Sequence, residues 1–251
     1  MTTDTKNNPW IVQFQPNPQA RYRLFCFPHA GGGTVGYRTW FKDLPDDIEV
    51  CAIRLPGRES RLTETPFTDV HTLAQTLSTV LEPYFDRPFA FFGHSLGSIV
   101  SFEVTRLLES QRKHKPIHLF VSAHRAPHMP NRNKILHHLP KDEFIEGLRS
   151  YNGTPEIIFQ EKELMELLLP MLQADFTMSE TYVSASDTLI SCPITGFGGD
   201  ADDTTSEEEM DTWDRYTTNR FKLHMYPGDH FYLRDQQKPV LQVVSQDLRR
   251  G

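Results

Sequence analysis

Short apolar runs alternate with amphipathic, helix-spaced segments along most of this chain, and the alternation predicts an α/β fold: a mostly parallel sheet with crossover helices on its faces. The runs that read as strands are 22–27, 50–54, 89–93, 117–122, 193–198 and 221–226. Between the second and third, Val70, Leu73, Leu77, Val80, Leu81 and Tyr84 recur at helical spacing and predict a helix covering one sheet face. A second apolar stripe runs through Ile99, Val100, Phe102, Val104, Leu107 and Leu108, and Val240, Leu241, Val243, Val244 and Leu248 suggest a closing helix. One interval breaks the alternation. From about 127 to 191 the patterns are helical (141–151, then 161–183 with Leu164, Leu167, Leu168, Met171, Leu172 and Phe176), and no convincing strand occurs.

The strand at 89–93 runs directly into Gly93-His94-Ser95-Leu96-Gly97 and then into a helical stripe. Gly-x-Ser-x-Gly between a strand and a helix is a nucleophile elbow, in which side chains at either glycine would collide with the neighbouring strand and helix and the serine hydroxyl projects from the top of the sheet. A serine hydroxyl near neutral pH needs a histidine base and a carboxylate to orient it, in the chain order Ser, Asp, His. Pro227-Gly228-Asp229-His230-Phe231 follows the last strand and makes His230 the base. His71, His114, His118, His137, His138 and His224 read as surface or packing residues. His124 and His128 are spaced i,i+4 but flanked by Pro127 and Pro130, which argues against a helical metal pair. For the acid, Gly198-Gly199-Asp200-Ala201-Asp202-Asp203 offers three carboxylates. Asp202, three residues past Gly199, is favoured, with Asp200 and Asp203 as alternatives.

Acyl transfer also needs backbone N–H groups aimed at a developing oxyanion. Leu96, after the serine, supplies one; Phe27-Pro28-His29-Ala30-Gly31-Gly32-Gly33, after the first strand and before a short helical stretch at 37–41, supplies the other, from Ala30. This loop could instead cradle a phosphate, but it contains neither Gly-x-Gly-x-x-Gly nor Gly-Lys-Ser/Thr. With the elbow at the strand ends, the 127–191 insertion is expected to be a helical lid whose apolar residues line a channel and exclude water. Taken singly, each of its leucines and methionines reads better as ordinary core.

Composition narrows the class. The 251 residues, 38% apolar, fit a single domain over 1–251 with that insertion. Cys26, Cys51 and Cys192 lie in or beside apolar runs without metal-ligand spacing and read as buried, reduced thiols. Residues 1–9 are polar and lack an apolar signal core, and no stretch reaches the ~18 apolar residues of a membrane span, so a cytoplasmic protein is expected. A net charge of −7 argues against nucleic acid as a partner. The run from 200 to 214 holds eight acidic residues and no basic one, mostly a solvated helix face. Between 101 and 134, Arg106, Arg112, Lys113, Lys115, Arg125, Arg132 and Lys134 outnumber Glu103 and Glu109. They read first as a solubilising surface and second as a face for an acidic partner. Nothing signals an oligomer, and a monomer is expected.

Together the motifs resemble the type II thioesterases of nonribosomal peptide and polyketide assembly lines, within the α/β-hydrolase superfamily, over nearly the whole chain. The matching segments are Arg23 to Gly33, Leu55-Pro56-Gly57-Arg58-Glu59-Ser60-Arg61-Leu62, Gly93-His94-Ser95-Leu96-Gly97, Arg125-Ala126-Pro127, Gly153-Thr154-Pro155, Leu168-Leu169-Pro170, Ala174-Asp175-Phe176 and Pro227-Gly228-Asp229-His230-Phe231-Tyr232-Leu233. The Pro-His-Ala-Gly-Gly and Leu-Pro-Gly-Arg segments are more specific to that family than the elbow. The resemblance implies a Ser95, Asp202, His230 triad and an oxyanion hole from Ala30 and Leu96. The implied substrate is an acyl or aminoacyl thioester on the phosphopantetheine arm of a carrier protein, hydrolysed without metal or diffusible cofactor; the basic 101–134 region would then help meet an acidic carrier. The chain departs from the family at Leu96 (usually Met), Asp203 (often Pro) and Asp229 (commonly Gly). Two rival readings are a carboxylesterase or lipase acting on free esters and a non-catalytic binding module.

Overall fold

The computed structural model describes residues 8–112, 114–151, 153, 156–184 and 188–250. Of the segments singled out above, residues 1–7, Lys113, Thr154 and Pro155 lie outside the described residues.

Seven strands form one sheet: β1 (Ile11–Val12), β2 (Tyr22–Phe27), β3 (Ile48–Ile53), β4 (Phe89–His94), β5 (His118–Ser122), β6 (Ile194–Gly199) and β7 (Phe221–Tyr226). Their spatial order is β1-β3-β2-β4-β5-β6-β7, and every pairing is parallel except β1 with β3. Six of these strands fall within two residues of the positions read from apolar runs. The two-residue β1 has no pattern to announce it.

The strands are apolar throughout because both faces are covered. Side chains of β2 and β4 divide by the two-residue period. Phe25, Phe27 and Phe91 enter one core with Leu73, Leu77, Ile99 and Phe102, whereas Leu24, Cys26 and Phe92 enter another with Trp40, Val240, Leu241 and Val244. The first core lies under α1 (Val70–Val80) and α2 (Leu96–Gln111). The Asp69 carboxylate caps α1 by accepting from the Thr72 N–H, and α1 stops at Val80, before Pro83. Each of these phenylalanines is fully buried or nearly so, which stabilises the fold by about 1.5–3 kcal/mol per side chain.

Between β5 and β6 the chain forms α3 (Lys141–Arg149), α4 (Glu156–Gln160) and α5 (Lys162–Thr181), the last carrying Pro170 inside it. Their apolar sides build a third, separate core from Leu136, Phe144, Leu148, Met165, Met171, Leu172 and Phe176. The short α6 (Glu207–Asp211) starts at a Ser206–Glu209 capping box, so Glu209 of the acidic run is buried rather than solvated. The closing helix, α7 (Leu233–Arg250), begins several residues before its apolar stripe. The stretch at 37–41 is two 3-10 turns, Thr34–Tyr37 and Trp40–Lys42.

All three cysteines are buried and free. Among the described residues no helix is long and apolar enough to cross a membrane, and no three His, Cys, Asp or Glu side chains group as a metal site.

Candidate active site

The chain leaves β2 to build β3 on one side, then returns to place β4 on the other side of β2. The order of strands therefore reverses at β2, and in open α/β sheets the crevice at such a reversal lies beyond the strand carboxyl ends. There the loop after β2 and the elbow after β4 stand side by side, with Phe27 in register with Gly93.

The elbow is held by close backbone approach. A Cβ on Gly93 would sit 2.1 Å from the Gly97 carbonyl oxygen, and one on Gly97 would sit 2.2 Å from that of Phe27, so neither position admits a side chain. Between them Ser95 takes φ 52°, ψ −120° at the head of α2, a strained conformation for a non-glycine residue. Its N–H donates to the Ser122 carbonyl at 2.8 Å. Ser98 locks the two strand ends together: its one hydroxyl proton is shared between the Gly93 and Ser122 carbonyls, each 2.9 Å away, and its oxygen accepts from the Ser122 N–H.

His230 and Asp202 meet. Nδ1 of His230 is 2.8 Å from Oδ2 of Asp202, whose side chain is 1% exposed. The other carboxylate oxygen, Oδ1, accepts from both the N–H (2.8 Å) and the hydroxyl (2.7 Å) of Thr204. Burial alone would raise the Asp202 carboxyl, but the hydrogen bonds and charge of His230 and the donors of Thr204 outweigh it and hold the group below its ordinary value. Asp202 is thus ionised and aimed. The two rival carboxylates are exposed; Asp200 accepts instead from the Gly228 N–H at 3.0 Å. Asp229, the departure beside the histidine, is also exposed and bonds the Phe231 N–H.

Ser95, His230 and Ala30 line one cleft of about 720 Å³, solvent mouth included, with Leu148, Leu172 and Phe176 from α3 and α5 on its wall. Leu164 and Leu167 of the same insertion are exposed instead. Leu96 opens α2, so its amide has no acceptor within the helix, and the helix N-terminus adds its partial positive charge at the same place. Across the cleft, Ala30 and Gly31 occupy the middle of a tight turn closed by the Gly32 N–H on the His29 carbonyl. Gly31 has φ +75°, the left-handed value that such a turn requires at its third position.

Several residues at this site were not marked from sequence. Thr204 is one; its signal was Asp-x-Thr spacing, since a carboxylate bonding the backbone two residues on forms a local turn. His29 and His94 are others, packed edge-on to each other beside His230. His94 Nδ1 bonds Ser122 Oγ, which bonds the Tyr232 hydroxyl. The sequence holds no signal for this chain of contacts, which joins the ends of β4 and β5 to the residue before α7.

Burial, with repulsion from His230, Arg234 and Arg58, lowers His29 to about 3. Burial and the neighbouring Arg125 charge lower His124 to about 3 as well. Both rings ionise near 6.5 in the unfolded chain, so between those values the unfolded state binds the extra protons and folding weakens as pH falls. For the two together we expect a loss of about 3 kcal/mol between pH 6.5 and 5, read as a falling urea midpoint. Asp202 adds its own loss only below the ordinary carboxylate value of 3.8. An unchanged midpoint across that window would contradict neutral burial of these rings.

The basic residues of 101–134 do not form one face. Arg106 is paired with Glu103 on α2, Arg112 and Lys115 lie at the opposite end of the sheet from the cleft, and Arg125 lines the cleft with its Nε on the Met129 carbonyl. Helix α2 runs antiparallel to the strands, so a segment spanning α2, β5 and the following loop distributes its charges over both ends of the sheet.

A thioesterase domain model matches residues 22–248. The chain is 41% identical over 249 residues to the gramicidin S biosynthesis protein GrsT of Aneurinibacillus migulanus, covering 99% of this chain and 97% of that one. Among solved structures it superposes on the type II thioesterase BorB from the borrelidin biosynthetic cluster with TM-score 0.85 and 32% identity, covering 96% of both chains. It superposes on YbtT, a type II thioesterase from the yersiniabactin NRPS/PKS pathway, with TM-score 0.86 and 29% identity, covering 96% of this chain and 98% of that one.

Proposed function

Since the chain belongs to the thioesterase family and is an α/β-hydrolase of the type II class, we propose that Ser95, His230 and Asp202 carry its reaction. That reaction is hydrolysis of acyl or aminoacyl thioesters from the phosphopantetheine arm of carrier proteins of nonribosomal peptide or polyketide synthases, an editing function that frees blocked carriers. The observation that carries the assignment is the short contact from His230 to Asp202, at the cleft that Ser95 also lines.

With Nδ1 committed to Asp202, Nε2 is the nitrogen left to take the Ser95 proton. Ser95 attacks the thioester carbonyl, and the amides of Ala30 and Leu96 hold the oxyanion. The imidazolium that forms is stabilised by the ionised Asp202. The tetrahedral intermediate collapses, and the phosphopantetheine thiolate leaves with the proton from His230. His230 then activates water against the acyl-enzyme, releasing the acid and restoring Ser95. No diffusible cofactor enters this scheme. Helices α3 to α5 act as the lid of a single-domain, cytoplasmic, monomeric enzyme, and their apolar wall receives the acyl group.

The test compares turnover of acetyl-phosphopantetheinyl carrier protein with that of acetyl-coenzyme A and p-nitrophenyl acetate. Preference for the carrier-bound thioester is the expected result. Rapid cleavage of the free ester with the carrier left untouched would make the protein an esterase.

A further inference from the structure

We propose that Arg58 and Asp175 are positioning residues for the oxyanion hole, acting together as a clamp on the loop that carries the Ala30 amide. The inference rests on the reading of Ala30 as an oxyanion donor. It goes beyond that reading in naming what sets the donor's geometry.

Asp175 lies on α5 and Arg58 in the Leu-Pro-Gly-Arg segment after β3, and their side chains are 0% and 4% exposed. They meet as a two-pronged pair, Nη2 to Oδ1 at 2.8 Å and Nη1 to Oδ2 at 2.9 Å. Each reaches further. Oδ2 of Asp175 accepts the Gly31 N–H at 2.7 Å, and Nη1 of Arg58 donates to the Gly32 carbonyl at 2.7 Å. The next residue, Glu59, accepts the N–H of Thr34 at 2.6 Å and is itself held by Arg54.

The loop is therefore fastened at 31, 32 and 34. The amides of Gly31, Gly32 and Thr34 all donate within the protein; that of Ala30 has no acceptor among the described residues and lies on the cleft. The Gly31 N–H belongs to the peptide that follows Ala30. With that plane held, and the His29 carbonyl of the preceding peptide held by the Gly32 N–H, the torsions about Ala30 and the direction of its amide are restricted. Stability alone is a weak reason for such a pair, because two buried charges lose hydration that their attraction barely offsets, and apolar residues of similar volume often serve as well. A clamp needs both charges: the carboxylate to take the N–H of the loop and the guanidinium to take its carbonyl.

The test uses the double variant Arg58→Met/Asp175→Leu, which removes both charges without stranding either. Three quantities are compared with wild type: kcat and KM for the acetyl-carrier thioester, the inhibition constant of an alkyl boronic acid that forms a tetrahedral adduct on Ser95, and the affinity for the non-hydrolysable thioether analogue of the acyl-carrier. We expect kcat to fall about 10- to 100-fold and boronate binding to weaken in parallel, while KM and thioether affinity stay within about threefold. Arg58→Lys carries the test if the double variant does not fold. It keeps the ion pair, but a single ammonium nitrogen replaces the planar fork that spans both carboxylate oxygens and the Gly32 carbonyl, and boronate binding should weaken selectively. A folded variant with wild-type kcat and boronate binding overturns the proposal. So does a loss spread equally over boronate and thioether, which marks general damage. Ser95→Ala, run alongside, separates the two levels: if it is inactive while the clamp variants are unimpaired, the serine mechanism stands and the clamp fails.

Discussion

Replacing Ser95 with alanine is expected to lower kcat on an acyl-carrier thioester by about a millionfold, the loss seen when the nucleophile of a serine triad is removed. Ser95 is the only hydroxyl on the strained elbow, and the nearby Ser98 cannot substitute: its oxygen is buried between β4 and β5 with three hydrogen bonds already made. The substitution leaves the fold intact. The Ser95 N–H to Ser122 bond is backbone, and both close glycine contacts are unchanged. Intact-protein mass spectrometry adds a second readout, since wild type rapidly mixed with substrate should carry an acyl adduct and Ser95→Ala none. Substantial turnover by the variant would remove Ser95 from the mechanism, whatever the family.

The second large effect concerns the acid. Asp202→Asn should lower kcat by about a thousandfold to ten-thousandfold, with little change in stability, because the amide can still occupy the site between Thr204 and His230. What it lacks is the charge that stabilises the imidazolium and the fixed acceptor that selects the productive tautomer. Asp200→Asn and Asp203→Asn, both exposed, should stay within about twofold of wild type. If Asp203→Asn were the inactive variant, the loop would have to rearrange in solution and the assignment of the acid would move.

The comparison among these three aspartates also shows what the sequence could convey. Strands and crossover helices were legible because unbroken apolar runs mark the first and a helical period marks the second. The proposed nucleophile and base were legible because a tight turn at a strand end restricts which residues fit. The choice among Asp200, Asp202 and Asp203 was not set by any period, since consecutive loop positions differ only in the torsions that aim them. Thr204 favours Asp202 physically, fastening its Oδ1 and leaving Oδ2 for the histidine. Arg58 and Asp175 illustrate a further limit: they stand 117 positions apart and meet only because α5 folds back over the loop after β2. Among the described basic residues of 101–134 the converse holds: Arg112, Lys115 and Arg125 are near one another in sequence and lie at opposite ends of the sheet.

One more consequence lies in the pairing of Phe27 with Gly93. The two proposed oxyanion donors stand three residues past those partners, one beyond the end of each of two adjacent strands. The gap between them starts from the inter-strand spacing of about 4.8 Å that all sheets share, and the proposed Arg58–Asp175 clamp aims the Ala30 amide across it. The sheet serves as a ruler, and loop length is the graduation. Redesign of the proposed acyl chamber can change α3 and α5, Asp175 excepted, without altering that spacing, but inserting or deleting a single residue at 28–30 or 94–96 would misplace one donor by a full peptide unit.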